Sequence, residues 1–402
     1  MKLRYKAVDK NGKSVEGLID AKDINEAAAY LRTKEFVPIR IERIEKNKFL
    51  GIIPLGSKKV KGADVVLFTR QLSSMLSSGL TLIRSLEILR DQITNDAMIE
   101  VVNGIIADIE EGSSFSSALV KYPDAFSQIY VSLIRASESS GLLDKALLRL
   151  ADNLEKQQKL KSTIKSALMY PMIVVSLMLV VVVIMMIFVI PQLSVFYESL
   201  NIPLPLPTRI VVGISRFMGL FWPLLVGLIV LIVFLFRRWH KTEAGKLMVD
   251  SLVLKVPIFG NLIKKTILTE FSRTFGLLVG SGTLVVESLI ETSDIAGNIH
   301  YKNAIIDISK RVEKGVTIGD ALSLYTLFPP ILVQLVKIGE ETGKLDETLL
   351  KASEYFEGEV NQTVKTLTTA MEPFIMVVLG LGVAFLIVSV ITPIYSLTSS
   401  IQ

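Results

Sequence analysis

The sequence predicts a mainly α-helical, polytopic membrane protein: two tandem-duplicated cytoplasmic helical-bundle domains, three transmembrane helices and a small N-terminal α/β module. Three observations carry this prediction. Half of the 402 residues are apolar and the mean hydropathy is +0.50, oilier than an ordinary soluble enzyme. Three long stretches hold no charged residue. The chain also repeats itself at an offset of about 203 residues.

The elements follow in chain order. The opening MKLRYKAVDKNG has no apolar core behind its charges, so no cleavable signal peptide is read there. LRYKAVDKNGKSVEGLIDA alternates about Asn11-Gly12, a hairpin signal, and a short helix (Ile24–Lys34) and a strand around Pro38–Ile44 complete a module over 1–45. Residues 46–62 read as a basic linker. A first bundle spans 63–166, where apolar residues such as Leu67, Phe68, Leu72 and Leu76 recur at helical spacing. Glycine, proline and serine breaks divide it into about six helices, and Gly79 stands where a left-handed turn is cheap for glycine.

The uncharged runs YPMIVVSLMLVVVVIMMIFVIP, FMGLFWPLLVGLIVLIVFLF and PFIMVVLGLGVAFLIVSVIT each reach the length of about 20 residues that a membrane helix needs. They define crossings at 167–191, 217–236 and 372–393, helical because an open strand leaves backbone groups unpaired in lipid. Lys156, Lys159, Lys161 and Lys165 precede the first, and Arg237, Arg238, Lys241 and Lys246 follow the second. The intervening loop 192–216 has only Arg209 and Arg216, and the tail 394–402 has no basic residue. The positive-inside rule therefore places 1–166 and 237–371 in the cytoplasm, with the loop and tail outward.

The repeat lays FTRQLSSMLSSGLTLIRSLEIL (68–89) over FSRTFGLLVGSGTLVVESLIET (271–292), matching Phe68, Arg70 and Gly79 with Phe271, Arg273 and Gly282. One residue of slippage later the offset becomes 202, and ESSGLLDKAL (138–147) meets EETGKLDETL (340–349). The second bundle therefore covers 265–371, after a cytoplasmic connector at 237–264. The crossing at 217–236 returns the chain so that both copies lie on one side.

The repeated acids invite a chemical reading. GEETGK (339–344) is one residue short of a nucleotide-binding loop, and Leu345 replaces the residue that holds magnesium. Ser162-x-x-Lys165 sits on the charged flank of a membrane helix. The two histidines, His240 and His300, lie far apart in sequence, and cysteine is absent. Neither a catalytic set nor a cofactor site is read, and no aromatic-basic pattern suggests nucleic acid. Gly141 and Gly343 are read as helix ends, with Asp144 and Asp346 as N-caps of the next helix and Leu143–Leu148 and Leu345–Leu350 as hydrophobic staples. Glu138 and Glu340 are then left over. They pair with Arg70 and Arg273 inside each bundle, or face a partner, or hold a hard cation such as calcium. Tyr170-Pro171 and Glu372-Pro373 open the duplicated spans, with proline suited to a first turn or a kink. Gly380-x-x-x-Ala384 is a weak signal for close helix approach.

These residues resemble the inner-membrane platform proteins of type IV pilus and type II secretion machines, the F family of general secretion. The resemblance covers essentially the whole chain. It rests on the paired FTRQLSSMLSSGLTL and FSRTFGLLVGSGTLV segments, the ESSGLLD and EETGKLD pair, ALMYP…VIP, LPLPT (204–208) and the Met-Glu-Pro before the last span. Thr163 stands where a basic residue is usual in the family, and Met178 where a small one is. The resemblance implies a non-enzymatic platform that couples a hexameric cytoplasmic assembly ATPase to extraction and polymerisation of pilin or pseudopilin subunits. It further implies other inner-membrane pilus or secretion proteins and membrane lipid as partners, and homodimers or higher homo-oligomers. A small membrane transporter or channel component is the alternative, weakened by spans that contain almost only aliphatic residues.

Overall fold

The structure, a computed structural model, describes residues 2–8, 14–20, 24–33, 36–43, 59–192, 195 and 206–400. The Asn11-Gly12 turn, the linker at 46–58 and most of the 192–205 loop, with the start of LPLPT, lie outside the described residues. The chain divides into two units, Met1–Lys59 and Val60–Gln402. In the first, β1 (Lys2–Val8), β2 (Ser14–Asp20) and β3 (Val37–Arg43) form an antiparallel sheet in the order β2-β1-β3, with Tyr5 opposite Gly17 and Ile41. Helix α1 (Ile24–Thr33) joins β2 to β3 and buries Ala27 and Leu31.

In the second unit, α2 (Gly62–Ser77), α3 (Leu82–Gln92), α4 (Asp96–Glu110), α5 (Phe115–Val120), α6 (Gln128–Ser140) and α7 (Leu143–Ile184) include the first bundle. Two helices, α8 (Leu206–His240) and α9 (Glu243–Lys255), lead to the second copy. That copy comprises α10 (Phe259–Gly280), α11 (Val285–Ile295), α12 (Ile299–Glu313), α13 (Ile318–Ser323), α14 (Pro330–Thr342) and α15 (Leu345–Ser400). From α3/α11 to α5/α13 the helix limits repeat at an offset of 203, and from α6/α14 onward they start at 202. The slipped residue falls in the loops 121–127 and 324–329, where a deletion disturbs no helix.

Each bundle folds around its own apolar core. Phe68 and Phe126 meet at 5.8 Å, and their counterparts Phe271 and Phe328 at 5.5 Å, so the duplication extends to an aromatic pair at the heart of each copy. Gly79 and Gly282, at φ 86° and 87°, make the turns that the sequence assigned to them.

The boundaries at 166/167 and 371/372 do not break the backbone. Helix α7 carries the first bundle's last helix straight into the first apolar run, and α15 does the same for the last run. Pro171 and Pro373 therefore stand inside helices and do not open them, correcting the first-turn reading. Each lacks the N–H that the carbonyl four residues back would use, yet the good helix formers before them and the packing of α7 on α15 keep the helices continuous.

At its far end α7 widens into a π-turn over Met185–Val189, where the Ile190 N–H reaches the Met185 carbonyl. Pro191 has no N–H, so the Met186 carbonyl loses its helical donor. The buried Ser215 hydroxyl of α8 donates to it. An unpaired carbonyl is costly in lipid, so Ser215 ties α8 to α7 where proline weakens it.

Candidate functional site

The repeated Glu-x-x-Gly-x-Leu-Asp corner was the strongest candidate for chemistry, and its geometry is a pair of helix caps. Helix α6 ends on Gly141 at φ 70°, where the Leu142 N–H bonds the Ser137 carbonyl at 3.0 Å. Helix α14 ends likewise on Gly343 at φ 66°, with the Lys344 N–H on the Gly339 carbonyl at 2.9 Å. This left-handed ending is accessible to glycine at little cost. Helices α7 and α15 begin at Leu143 and Leu345, so Asp144 and Asp346 lie within the first turn and are not the caps. Their charges face the helix N-terminus instead. The start two residues earlier also shifts Leu143 and Leu345 into the helix, so they do not occupy the staple position before a cap.

Glu138 does not pair with Arg70, nor Glu340 with Arg273. The Glu138 carboxylate accepts the Phe115 N–H at 2.7 Å, the Ser116 N–H at 3.1 Å and the Ser116 hydroxyl at 2.7 Å. Glu340 accepts the Ile318 and Gly319 N–H groups at 2.6 and 3.0 Å. Ser114 and Thr317 accept the next amide, that of Ser117 and Asp320. The first three N–H groups of α5 and α13 are thus satisfied, which matters for helices of six residues. Both oxygens of each glutamate face amide donors, an arrangement suited to holding an anion in place and not to ligating a cation. Among the described residues no three His, Asp or Glu side chains gather as a metal set. His300 Nε2 lies 3.3 Å from the Leu247 carbonyl, and the His240 ring stacks on Phe236.

The arginines pair with acids that the sequence reading did not single out. Arg70 holds Glu155 through two bonds of 2.6 Å and Asp152 through one of 2.5 Å. The Arg70 bond holds the Glu155 carboxyl below its usual range. Arg273 bonds Glu357, the counterpart of Glu155, at 2.5 Å. Both pairs link the first helix of a bundle to its last. The signal was present in sequence as an acid at the same 202-residue offset.

The copies also touch one another. Leu277 and Leu278 of α10 join the first bundle's core, and Arg149 of α7 donates to the Gly280 carbonyl at the end of α10 at 2.8 Å. Gln157 donates to Glu270 at 2.6 Å, and Ser132 to Glu291 at 2.6 Å. Burial raises the Glu291 carboxyl above its ordinary value, opposed by the Ser132 bond; Glu287 and Asp294 push the same way as burial, and Arg135 opposes. A raised carboxylate pKa means that the folded state holds the proton more tightly than the unfolded chain. Stability is then lost as pH rises from about 4.5 through the raised value. Glu291→Gln keeps an acceptor for Ser132 without the charge. It is expected to melt at or above the parent temperature at neutral pH and to flatten the pH dependence of melting in detergent between mildly acidic and neutral buffer. An unchanged pH profile would count against this role.

A groove of about 560 Å³ lies beside the corner of the second copy. Val279, Gly280, Val285, Val312, Ile318 and Gly339 stand there, whereas the equivalent first-copy positions carry the larger Leu76, Ser77, Leu82, Ile109, Phe115 and Ser137.

Where the bundles approach the apolar runs, Leu160, Leu262, Val360, Val364 and Leu367 form a third core joining α7, α10 and α15. Further along, Gly382 lies so close to the Met178 methyl that a Cβ there would require the flexible Met178 side chain to move. Met178 is thus accommodated by a glycine across the helix pair. Gly380 makes no such approach, so the close-contact position is Gly382 and not the Gly380-x-x-x-Ala384 face. Tyr170 and Glu372 are equivalent and both exposed, as is Pro373, while Pro171 is buried. Among the described residues two helices, Leu143–Gln192 and Leu345–Ala384, are long and apolar enough to cross a membrane.

The comparisons agree with this duplicated architecture. The family model described as "Type II secretion system (T2SS), protein F" matches twice, at residues 68–191 and 271–393, and that described as "Type II secretion system protein F, N-terminal domain" matches residues 4–42. The chain is 35% identical to the type IV pilus assembly protein TapC of Aeromonas hydrophila, over 98% of this chain and 95% of that one. It is 35% identical to the type IV pilus assembly protein PilC of Thermus thermophilus, over 99% and 98%. It is 30% identical to the type II secretion system protein F of Xanthomonas campestris, over 99% of both. The tandem match, falling on the two bundles and the helices that leave them, establishes that the chain belongs to the type II secretion system protein F family.

Proposed function

We propose that this protein is a non-enzymatic inner-membrane assembly platform of a type IV pilus or type II secretion machine. It couples a cytoplasmic hexameric ATPase to the extraction and polymerisation of pilin-like subunits. The observation that carries this reading is mechanical. Each bundle shares one unbroken helix with an apolar run, and the third core clamps α7, α10 and α15 together at the transition. A displacement of either bundle is therefore passed to the membrane helices, because close-packed side chains transmit strain. The printed names of the relatives support the same reading.

In this proposal α8 supplies a third crossing over 217–236, where Leu224, Val230 and Phe234 are all exposed as lipid-facing residues are. The bundles and the N-terminal module face the cytoplasm, and the protein works as a homodimer or higher homo-oligomer. Deleting the gene is expected to abolish filament assembly or secretion while leaving the pilin-like subunits inserted in the membrane. Normal filaments and secretion in the deletion strain overturn the reading.

A further inference from the structure

Helix α9 buries an aspartate and turns several large apolar residues outward. Its buried residues are Gly245 and Asp250. Asp250 is held there by chemistry: its carboxylate accepts the Ile299 N–H at 2.7 Å, capping α12, and its carbonyl faces the Asn298 amide at 3.4 Å. Gly245 lies so close to the Trp239 carbonyl that no side chain fits. Gly245, Asp250 and the partly buried Leu254, which packs on the second core, therefore fix one side of α9 against protein. The other side presents Leu247, Met248 and Leu252, with relative exposures of 40, 66 and 65%. The apolar surface continues past the helix through Val256, Ile258 and Phe259, all exposed. Ile258 sits at φ 66° in a tight turn closed by the Phe259 N–H on the Pro257 carbonyl at 2.8 Å, a backbone disfavoured for a β-branched residue.

We propose that this surface binds the lipid bilayer: α9 lies in the cytoplasmic headgroup region, its apolar side among the acyl chains. Two observations select lipid as the occupant. Helix α9 starts at Glu243, with two residues between it and the end of α8 at His240, and soon after the apolar run ends at Phe236, so it begins at the membrane surface. Arg237, Arg238, Lys241, Lys246 and Lys255 surround it, while of its two acids only Glu243 is exposed. Basic flanks with an outward apolar side are the combination that anionic bilayers attract. The proposal rests on α8 crossing the membrane. It makes α9 a runner on the membrane surface, keeping the second bundle, through Asp250 and α12, at a fixed height below it.

The chain has no cysteine, so single spin-labelled cysteines can be placed in the full protein without background. Labels at Met248→Cys, Leu252→Cys, Leu228→Cys in α8 and Glu313→Cys at the far end of α12 are compared in bilayers of phosphatidylcholine with anionic phosphatidylglycerol. Collision with lipid-soluble oxygen is measured against collision with a water-soluble nickel chelate. The oxygen-to-nickel ratio at 248 and 252 is expected to rise several-fold above that at 313 and towards that at 228. A lipid ratio at 228 with an aqueous ratio at 248 and 252 overturns this proposal alone. Shielding of 248 and 252 from both probes means a protein covers the surface, and also overturns it. An aqueous ratio at 228 overturns the third crossing and this proposal together.

Discussion

Replacing Arg273 by methionine is expected to destabilise the protein by about 3–5 kcal/mol, the cost of removing one partner from a buried ion pair. Arg273 is only 2% exposed, and its loss strands Glu357 and the neighbouring Glu270. Two of its guanidinium nitrogens, Nε and Nη1, lack hydrogen-bond partners, so the pair is imperfectly compensated. Replacing both members, Arg273→Met with Glu357→Leu, is therefore expected to recover most of the loss. The equivalent Arg70→Met is expected to cost about 1 kcal/mol or less. Arg70 is 29% exposed, and water screens its pairs with Glu155 and Asp152. Chemical denaturation of the purified full chain in detergent measures the difference. Equal losses for the two arginines would show that burial does not set their worth.

Glu340→Ala is expected to free the start of α13, at roughly 1–3 kcal/mol for each amide left without a partner or water. Glu340→Gln is expected to lose less, because one acceptor oxygen remains, and Glu340→Lys more, because a cation then faces amide donors and the positive end of a helix. Glu138→Lys should act alike on α5, where the Ser116 hydroxyl loses its acceptor too. Thermal melting and limited proteolysis report both changes. A Lys variant that folds and melts as the parent does, but no longer retains a partner protein, would restore the interface reading of these acids. Neither substitution touches the bilayer surface assigned to α9, so the two sets of measurements are independent.

Much of the architecture was legible because its causes are local or periodic. Uncharged runs of membrane length and the repeated Gly79 and Gly282 each state a physical requirement within a short window. The duplication was legible for another reason: two copies under the same packing constraints keep the same residues at one offset. The corner was read only in part. Gly141 and Gly343 end helices as their type suggests, but taking Asp144 and Asp346 as caps placed the next helix two residues too late, since several starts satisfy the same short motif.

What the sequence alone determined is the unit: a helical bundle leading into an apolar run, written twice, with a further apolar run between. Only the tertiary structure decided how its charged residues are used. The partners of Glu138 and Glu340 are backbone amides more than twenty residues upstream, and every residue but proline carries such a donor, so residue type cannot reveal them. The same holds for α9. Its composition reads as a plain connector, and the contact of Asp250 with the start of α12 turns Leu247, Met248 and Leu252 outward. Which side of a helix meets protein depends on what packs against it, and that is a property of the assembled fold.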